Sequence, residues 1–269
     1  MILDDGIATL VIEDPRTPAR DSPRPYLHPV STPGGVVVSD LRPPDHDWHL
    51  GLSLAVANLS ISDERVDANF WGGVTWVAGE GYRQLDNNGS QRVLAQDGST
   101  LDLGWIDASG RLLLRERRSH SVHRPGAGAA VLTIASEWSP VVDGLRFGSP
   151  TTAGRPGAGY GGLLLRLTSA FGAALVLTPE GATTPEAAMG AESPWLALST
   201  GAATVAIAAS PANPVTPSPW FVRTGATPML GAAPFFHREW PLEGPARWSW
   251  RVVLADGPLD AAGITAALA

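Results

Sequence analysis

The chain has 269 residues, 44% hydrophobic and 17% charged, which supplies apolar material for a large core and excludes the charge-rich, apolar-poor balance of a disordered chain. All 19 basic residues are Arg and there is no Cys, so Schiff-base lysines, pyridoxal-phosphate attachment, a phosphate-loop lysine, thiol nucleophiles, iron–sulfur clusters, thiolate zinc sites and disulfides are excluded. A formal net charge of −7 argues against a nucleic-acid partner, because binding phosphate backbones takes clustered positive charge.

The chain opens Met1-Ile2-Leu3-Asp4-Asp5-Gly6, with acids where a signal peptide needs a basic segment. No window reaches the roughly 18 uninterrupted apolar residues of a membrane span. A cytoplasmic protein without a membrane partner is therefore expected. The 30 Gly and 24 Pro punctuate short apolar runs, and helical periodicity is scarce. Strands are predicted over Ile7–Ile12, Gly35–Val38, Leu52–Ile61, Leu101–Ile106, Leu112–Leu114, Val131–Ile134, Leu163–Leu167, Ala173–Leu177, Thr204–Ala208 and Trp248–Leu254. Asp97-Gly98 and Ser109-Gly110 have the residue types of hairpin turns. Thr183–Pro194 and Pro211–Pro219 read as loops, and only Leu259–Leu268, behind Pro258, has the spacing of a helix. With no βαβ alternation the options are a sandwich, a barrel or a propeller, and no period of roughly 40 residues supports the propeller. The expectation is one all-β domain over residues 1–269, a large twisted antiparallel β-sandwich with a short C-terminal helix.

Polar residues gather in a few places along this frame. His28 is followed by Asp45-His46-Asp47-Trp48-His49, so three of the six His fall close together. Such a group could ligate a metal, carry acid/base imidazoles, or consist of loop histidines bonded to carboxylates. Asn69-Phe70-Trp71-Gly72-Gly73 comes next. Trp outnumbers Phe, ten to six. A Trp that is not core packing suits the C–H face of a sugar ring, while Asn, Asp and Arg suit its hydroxyls. In Leu112-Leu113-Leu114-Arg115-Glu116 the strand period of two puts Glu116 on the face of Leu112 and Leu114, either buried with an Arg or aimed into a pocket. Arg155-Pro156-Gly157-Ala158-Gly159-Tyr160-Gly161-Gly162 looks like a phosphate loop but has neither the lysine nor a following helix. Its glycines permit close approach of a ligand, with Arg155, Tyr160 and Arg166 as polar contacts. Trp220 and His237 add an aromatic and an imidazole late in the chain. No Gly-x-Ser-x-Gly elbow is present.

Taken in order, Arg24-Pro25-Tyr26-Leu27-His28-Pro29, Asp45 to Gly51, Asn69 to Gly72, Gly81 to Gly89, Arg155 to Gly162 and Pro219 to Arg223 resemble the motif series of a bacterial family of unknown function often named PmoA-like or methane oxygenase. The resemblance runs from Tyr26 to the C-terminus. Leu27 stands where relatives often carry an aromatic, and Trp48 lies between two histidines. What the resemblance implies is a galactose-mutarotase-like β-supersandwich whose concave sheet binds sugars, in a fold whose enzymes commonly use a His and a carboxylate on a pyranose. Fold alone does not fix function.

The resulting expectation is a carbohydrate-active enzyme, of isomerase or lyase type, that moves protons on a sugar or an oxidised sugar derivative. His28, His46 or His49 would be acid or base with Glu116 as partner; Asn69, Trp71, Arg155, Tyr160, Arg166, Trp220 and His237 would contact substrate. No motif requires a cofactor, and the oligomeric state stays open. The alternatives are a non-catalytic carbohydrate-binding or regulatory module and a metal-dependent enzyme with His28, His46 and His49 as ligands. The segments around His28, His46 to His49 and Arg155 to Tyr160 are expected to converge on one face, with Glu116 pointing into the same cavity.

Overall fold

The computed structural model describes residues 1–62 and 67–269. Among these residues two antiparallel sheets carry most of the chain. One has eight strands, in the spatial order Ile2–Leu3, Ala8–Val11, Tyr26–Val30, Leu52–Val56, Gly161–Arg166, Met229–Ala232, Ser218–Arg223 and Glu192–Ser193. The other has nine, in the order Gly181–Thr183, Leu175–Thr178, Trp195–Ser199, Ala203–Ala209, Ala246–Asp256, Ala129–Pro140, Leu112–Gly126, Thr100–Ile106 and Ser90–Asp97. Their inner faces share one hydrophobic cluster: Leu52, Leu54, Leu163, Leu165, Trp220 and Leu230 from the first sheet meet Leu103, Trp105, Trp138, Val205, Ile207 and Val252 from the second. The antiparallel sandwich expected from the sequence is what forms.

Both outer faces are covered in part. On the nine-stranded sheet Val131, Ala197, Ala206 and Val253 pack under Ile264 and Leu268 of the helix Ala261–Leu268, which Asp260 caps through a 2.8 Å bond from the Gly263 amide. On the eight-stranded sheet Ala55, Leu164, Phe221 and Met229 form a smaller cluster with Trp71 and Phe236. This second covering explains why Leu52–Val56 and Gly161–Arg166 are buried at every position: they are central strands with no solvated face.

Local signals hold where turn chemistry is strong. Gly98 (φ 54°) and Gly110 (φ 91°) sit in the two expected hairpins, which join Ser90–Asp97 to Thr100–Ile106 and Thr100–Ile106 to Leu112–Gly126. Gly35–Val38 is not a strand. The amides of Gly35 and Val36 follow Pro33-Gly34 into a turn closed by Gly35 N to Thr32 O at 2.9 Å, leaving isolated bridges at Ser31–Val37 and Ser39–Leu167. Leu52–Ile61 breaks at Ala57, and Asn58–Ile61 pairs with Leu145–Gly148 in a separate three-stranded sheet. The loop at 183–194 contains the single helical turn Pro185–Ala188, capped by Thr184, and the short strand Glu192–Ser193.

Candidate functional site

The outer face of the eight-stranded sheet supplies a floor. Alternate residues of a strand share a face, and Trp220, Val222, Leu163, Leu165 and Leu230 are in the core. Phe221, Arg223, Leu164, Arg166 and Met229 therefore point away from it. Register aligns them: Met229 lies opposite Arg166 on one side and Arg223 on the other, so two guanidinium-bearing positions flank it in one row across three strands.

The first wall is the loop Arg42 to Leu50. Its base is tied by Arg42 N to His49 O (2.9 Å) and Gly51 N to Asp40 O (3.1 Å), and it turns twice, through His46 N to Pro43 O and His49 N to His46 O. Arginines from earlier in the chain brace it: the guanidinium of Arg24 donates to the Trp48 carbonyl at 3.0 Å and that of Arg20 to Asp47 at 2.7 Å. The rings of His46 and His49 stack with centroids 4.7 Å apart and planes 14° from parallel. His46 Nδ1 lies 2.7 Å from Asp45 Oδ2, and Asp45 in turn takes a bond from Arg166 Nη2 at 3.1 Å. His49 is buried, its Nδ1 has no hydrogen-bond partner, and its ring meets Trp71 edge-on at 5.6 Å.

The adjoining wall is aromatic. Asn69 Oδ1 accepts from the amides of Trp71 (2.9 Å) and Gly72 (3.0 Å), fixing the turn that presents Trp71. Gly73 (φ 63°) is required there, because a Cβ would come within 2.5 Å of the Trp48 ring. Trp71 lies 4.5 Å from the ring of Tyr160, whose hydroxyl is 3.1 Å from that of Tyr82. Arg155 stacks over Tyr82 at 4.8 Å and donates to its hydroxyl. Between the walls is a cavity of ≈ 180 Å³ lined by His46, His49, Trp71, Tyr82, Arg155, Tyr160 and Arg223, with Trp48, Val74, Phe221 and Met229 completing it.

The electrostatics follow from burial beside positive charge. Burial, then His46 and the arginines 166, 24 and 223, holds His49 well below the usual imidazole value, so its ring is neutral. Burial and the Tyr82 hydroxyl push the Tyr160 phenol well above its ordinary value, so it stays protonated and can donate. Burial, then Arg155, lowers Arg223. Burial of Asp45 opposes its ionisation, but the His46 bond and Arg166 outweigh that and lower its carboxyl. The chemistry on offer is a His46–Asp45 pair whose carboxylate can fix the imidazole tautomer, a neutral His49, a phenol donor and two cations.

Five of the residues singled out in the sequence meet here: His46, His49, Trp71, Arg155 and Tyr160. Arg166 sits behind them, its Nε and Nη1 without partners and its other terminal nitrogen on Asp45. The structure places the rest elsewhere. Glu116 does not point into the cavity: its strand alternation places it with Leu114 in the sandwich core, where it accepts from Arg118 Nε (2.7 Å), Trp105 Nε1 (2.7 Å) and Ser136 Oγ (2.5 Å). His28 does not line the cavity either; its Nδ1 is 2.9 Å from Ser39 Oγ on the neighbouring segment. Asn69 is buried as the brace of Trp71, Trp220 is core with its indole N–H on Ser193 O, and His237 is exposed with Nε2 2.7 Å from Gly190 O. Among the described residues no group of three or more His, Asp or Glu is arranged to hold a metal ion.

Tyr82, Phe221 and Arg223 were missed. In Trp220-Phe221-Val222-Arg223 the aromatic that attracts attention is Trp220, yet period two puts Trp220 and Val222 on one face and Phe221 and Arg223 on the other. Recognising the face with the charged member as the open one would have selected Arg223.

Over residues 3–269 the chain matches the family of unknown function DUF6807, and it belongs to that family. No curated protein matches it. No helix among the described residues is long and apolar enough to cross a membrane.

Proposed function

We propose that the protein is a carbohydrate-active enzyme that transfers protons on a single sugar unit held on the outer face of the eight-stranded sheet, in a fold of the galactose-mutarotase-like kind. The observation that carries this reading is the stacked His46–His49 pair, with His46 bonded to Asp45, lining one small cavity together with the Tyr160 phenol and its hydrogen-bonded neighbour Tyr82. An acid/base site needs an imidazole with a set tautomer and a donor on the other side of the substrate. Asp45 sets the tautomer of His46 if it accepts the Nδ1 proton, which leaves Nε2 as the base. Two stacked imidazoles resist double protonation, so His49 stays neutral and serves as a hydrogen-bonding partner. Trp71 and Tyr160 offer apolar faces to the ring. At ≈ 180 Å³ the cavity is below the ~300–1,000 Å³ of drug-sized ligand pockets, which suits one monosaccharide and no longer chain.

The test is NMR of anomer exchange and of C–H exchange with deuterated solvent across a panel of aldoses and uronates. His46→Ala should lower the rate of whichever reaction is found by about 10²–10⁴-fold, with binding retained. Turnover unchanged by His46→Ala and by His49→Ala would remove both from the chemistry. One observation favours a second reading, a binding module without catalysis: the carboxylate bonded to His46, Asp45, is already engaged by Arg166 as well. Sugar binding with no exchange in any assay, lost in Trp71→Ala and kept in His46→Ala, would select the module.

A further inference from the structure

The charge of the cavity is opposite to that of the molecule. The chain carries −7 overall, yet among the described residues no Asp or Glu lines the cavity, while Arg155 and Arg223 do. Most other described arginines are matched with acids: Arg16 with Asp14, Arg117 with Asp102, Arg118 with Glu116, Arg124 with Asp4, Arg247 with Glu137. Arg223 has no such partner among the described residues; its guanidinium lies 5.2 Å over the Phe221 ring. It is half-buried, and one row away across Met229 stands Arg166, buried, with two nitrogens unbonded. Arg166 keeps Asp45 as its partner through one nitrogen, whereas Arg223 has no carboxylate among the described residues and feels the like charges of Arg155 and Arg166; a cation so placed out of bulk water is unfavourable on its own and becomes favourable when an anion joins it.

We propose that the substrate of this cavity is an oxidised sugar bound as its carboxylate, with the carboxylate seated on Arg223 and within the field of Arg155 and Arg166, and the ring in the space lined by His46, Trp71 and Tyr82. This rests on the sugar reading above and narrows it to the anionic class. A planar two-oxygen anion matches the guanidinium fork, which can give it two parallel N–H bonds. Phosphate is the weaker fit. Phosphate sites draw on free backbone amides, whereas in the glycine-rich segment beside the cavity the Gly154 amide is bonded to Thr151 O, Arg155 to Pro150 O and Ala158 to Thr151 Oγ1.

Calorimetry on the full chain decides the matter with matched probes: galacturonate and glucuronate, the neutral hexoses galactose and glucose, the two uronamides, galactose 6-phosphate, and acetate. A uronate should bind about ten-fold or more tighter than its hexose and its uronamide, the size of a lost charge-assisted hydrogen bond. Arg223→Met should erase that preference and Arg223→Lys keep part of it, with each variant's melting curve confirming a folded chain. Should Arg223→Met not fold, the matched pairs on the unaltered protein carry the decision alone. Equal binding of uronate and hexose, tighter binding of the phosphate, or a preference untouched in folded Arg223→Met overturns the anionic class and leaves the sugar reading standing. Acetate binding as well as the uronates overturns the sugar reading and leaves the anion site. If no probe binds, both are overturned.

Discussion

The buried pair Glu116–Arg118 gives the sharpest test of where the polar residues belong. Glu116 and Arg118 are each 2% exposed, and the Glu116 carboxylate accepts from Arg118 Nε and Nη2 at 2.7 Å each and from Trp105 and Ser136. Arg118 also reaches Gln91 Oε1 at 2.8 Å. Burial opposes ionisation of Glu116, but Arg118 and the hydroxyl and indole donors outweigh it and lower its carboxyl below the ordinary value. Glu116→Leu strands the guanidinium in the core, at a cost of about 3–5 kcal/mol, and leaves the Trp105 N–H without an acceptor, at a further ~1–3 kcal/mol. That is a large share of the ~5–15 kcal/mol that holds a domain folded. Arg118→Met costs about 3–5 kcal/mol by stranding the carboxylate. In the double variant no charge is stranded, so its loss should fall short of the sum of the single losses by about 3 kcal/mol or more. Urea unfolding of the two single variants and the double measures this coupling. Losses that add to within about 0.5 kcal/mol would refute the reasoning, as would a folded Glu116→Gln protein whose ligand binding is lost, since Glu116 does not line the cavity.

Stability should fall on mild acidification. Burial lowers His120 to about 4 and His49 well below the ordinary imidazole value. The unfolded chain takes up those protons near pH ~6.5 and the folded one does not, so stability is complete above that pH and is lost on descent toward 4, by about 1.4 kcal/mol per pH unit for each ring. Urea midpoints at pH 7.5 and 5 check this, and a flat profile contradicts it; burial lowers His28 as well, so His120→Gln should shallow the slope by about a third to a half. Asn69→Ala removes the acceptor of two buried amides and should cost about 2–4 kcal/mol by thermal unfolding, while weakening ligand binding through the loosened Trp71 turn. Asp260→Ala should cost about 1 kcal/mol by uncapping the C-terminal helix, and leave the cavity on the opposite sheet with its affinity intact.

Local signals were readable where one residue type solves one local problem. Gly98 and Gly110 mark hairpins because left-handed backbone favours glycine, and Pro258 with Asp260 marks the helix start. The strand Tyr26–Val30 and the strand Met229–Ala232 were harder. The first contains a proline, and the second is four residues whose partners, Gly161–Arg166 and Ser218–Arg223, come from elsewhere in the chain. In the site, the loop from Asp45 to His49 was legible because two imidazoles, two acids and a Trp in five residues exceed what a turn needs. Tyr82 was not, since nothing next to it in sequence foretells the Tyr160 hydroxyl or the Arg155 guanidinium that gives it a role.

By itself the sequence determined the side-chain inventory: permanent cations only from Arg, side-chain titration near neutrality only from imidazole, no thiol and no side-chain amine, and an all-β chain of alternating strands closed by one short helix. Alternation also correctly grouped Glu116 with Leu114. What alternation cannot state is which of two faces looks inward, because period two is symmetric until a second sheet covers one side. Tertiary pairing made that choice. It turned Glu116 and Trp220 into the sandwich, turned Phe221 and Arg223 out of it, and carried the histidine loop over the same face as Tyr160. Glu116, expected in the site, thus lies in the core, and Arg223, not singled out in the sequence, lines the cavity, for the physical reason that a side chain's chemistry depends on which layer buries it and which charges the fold sets beside it.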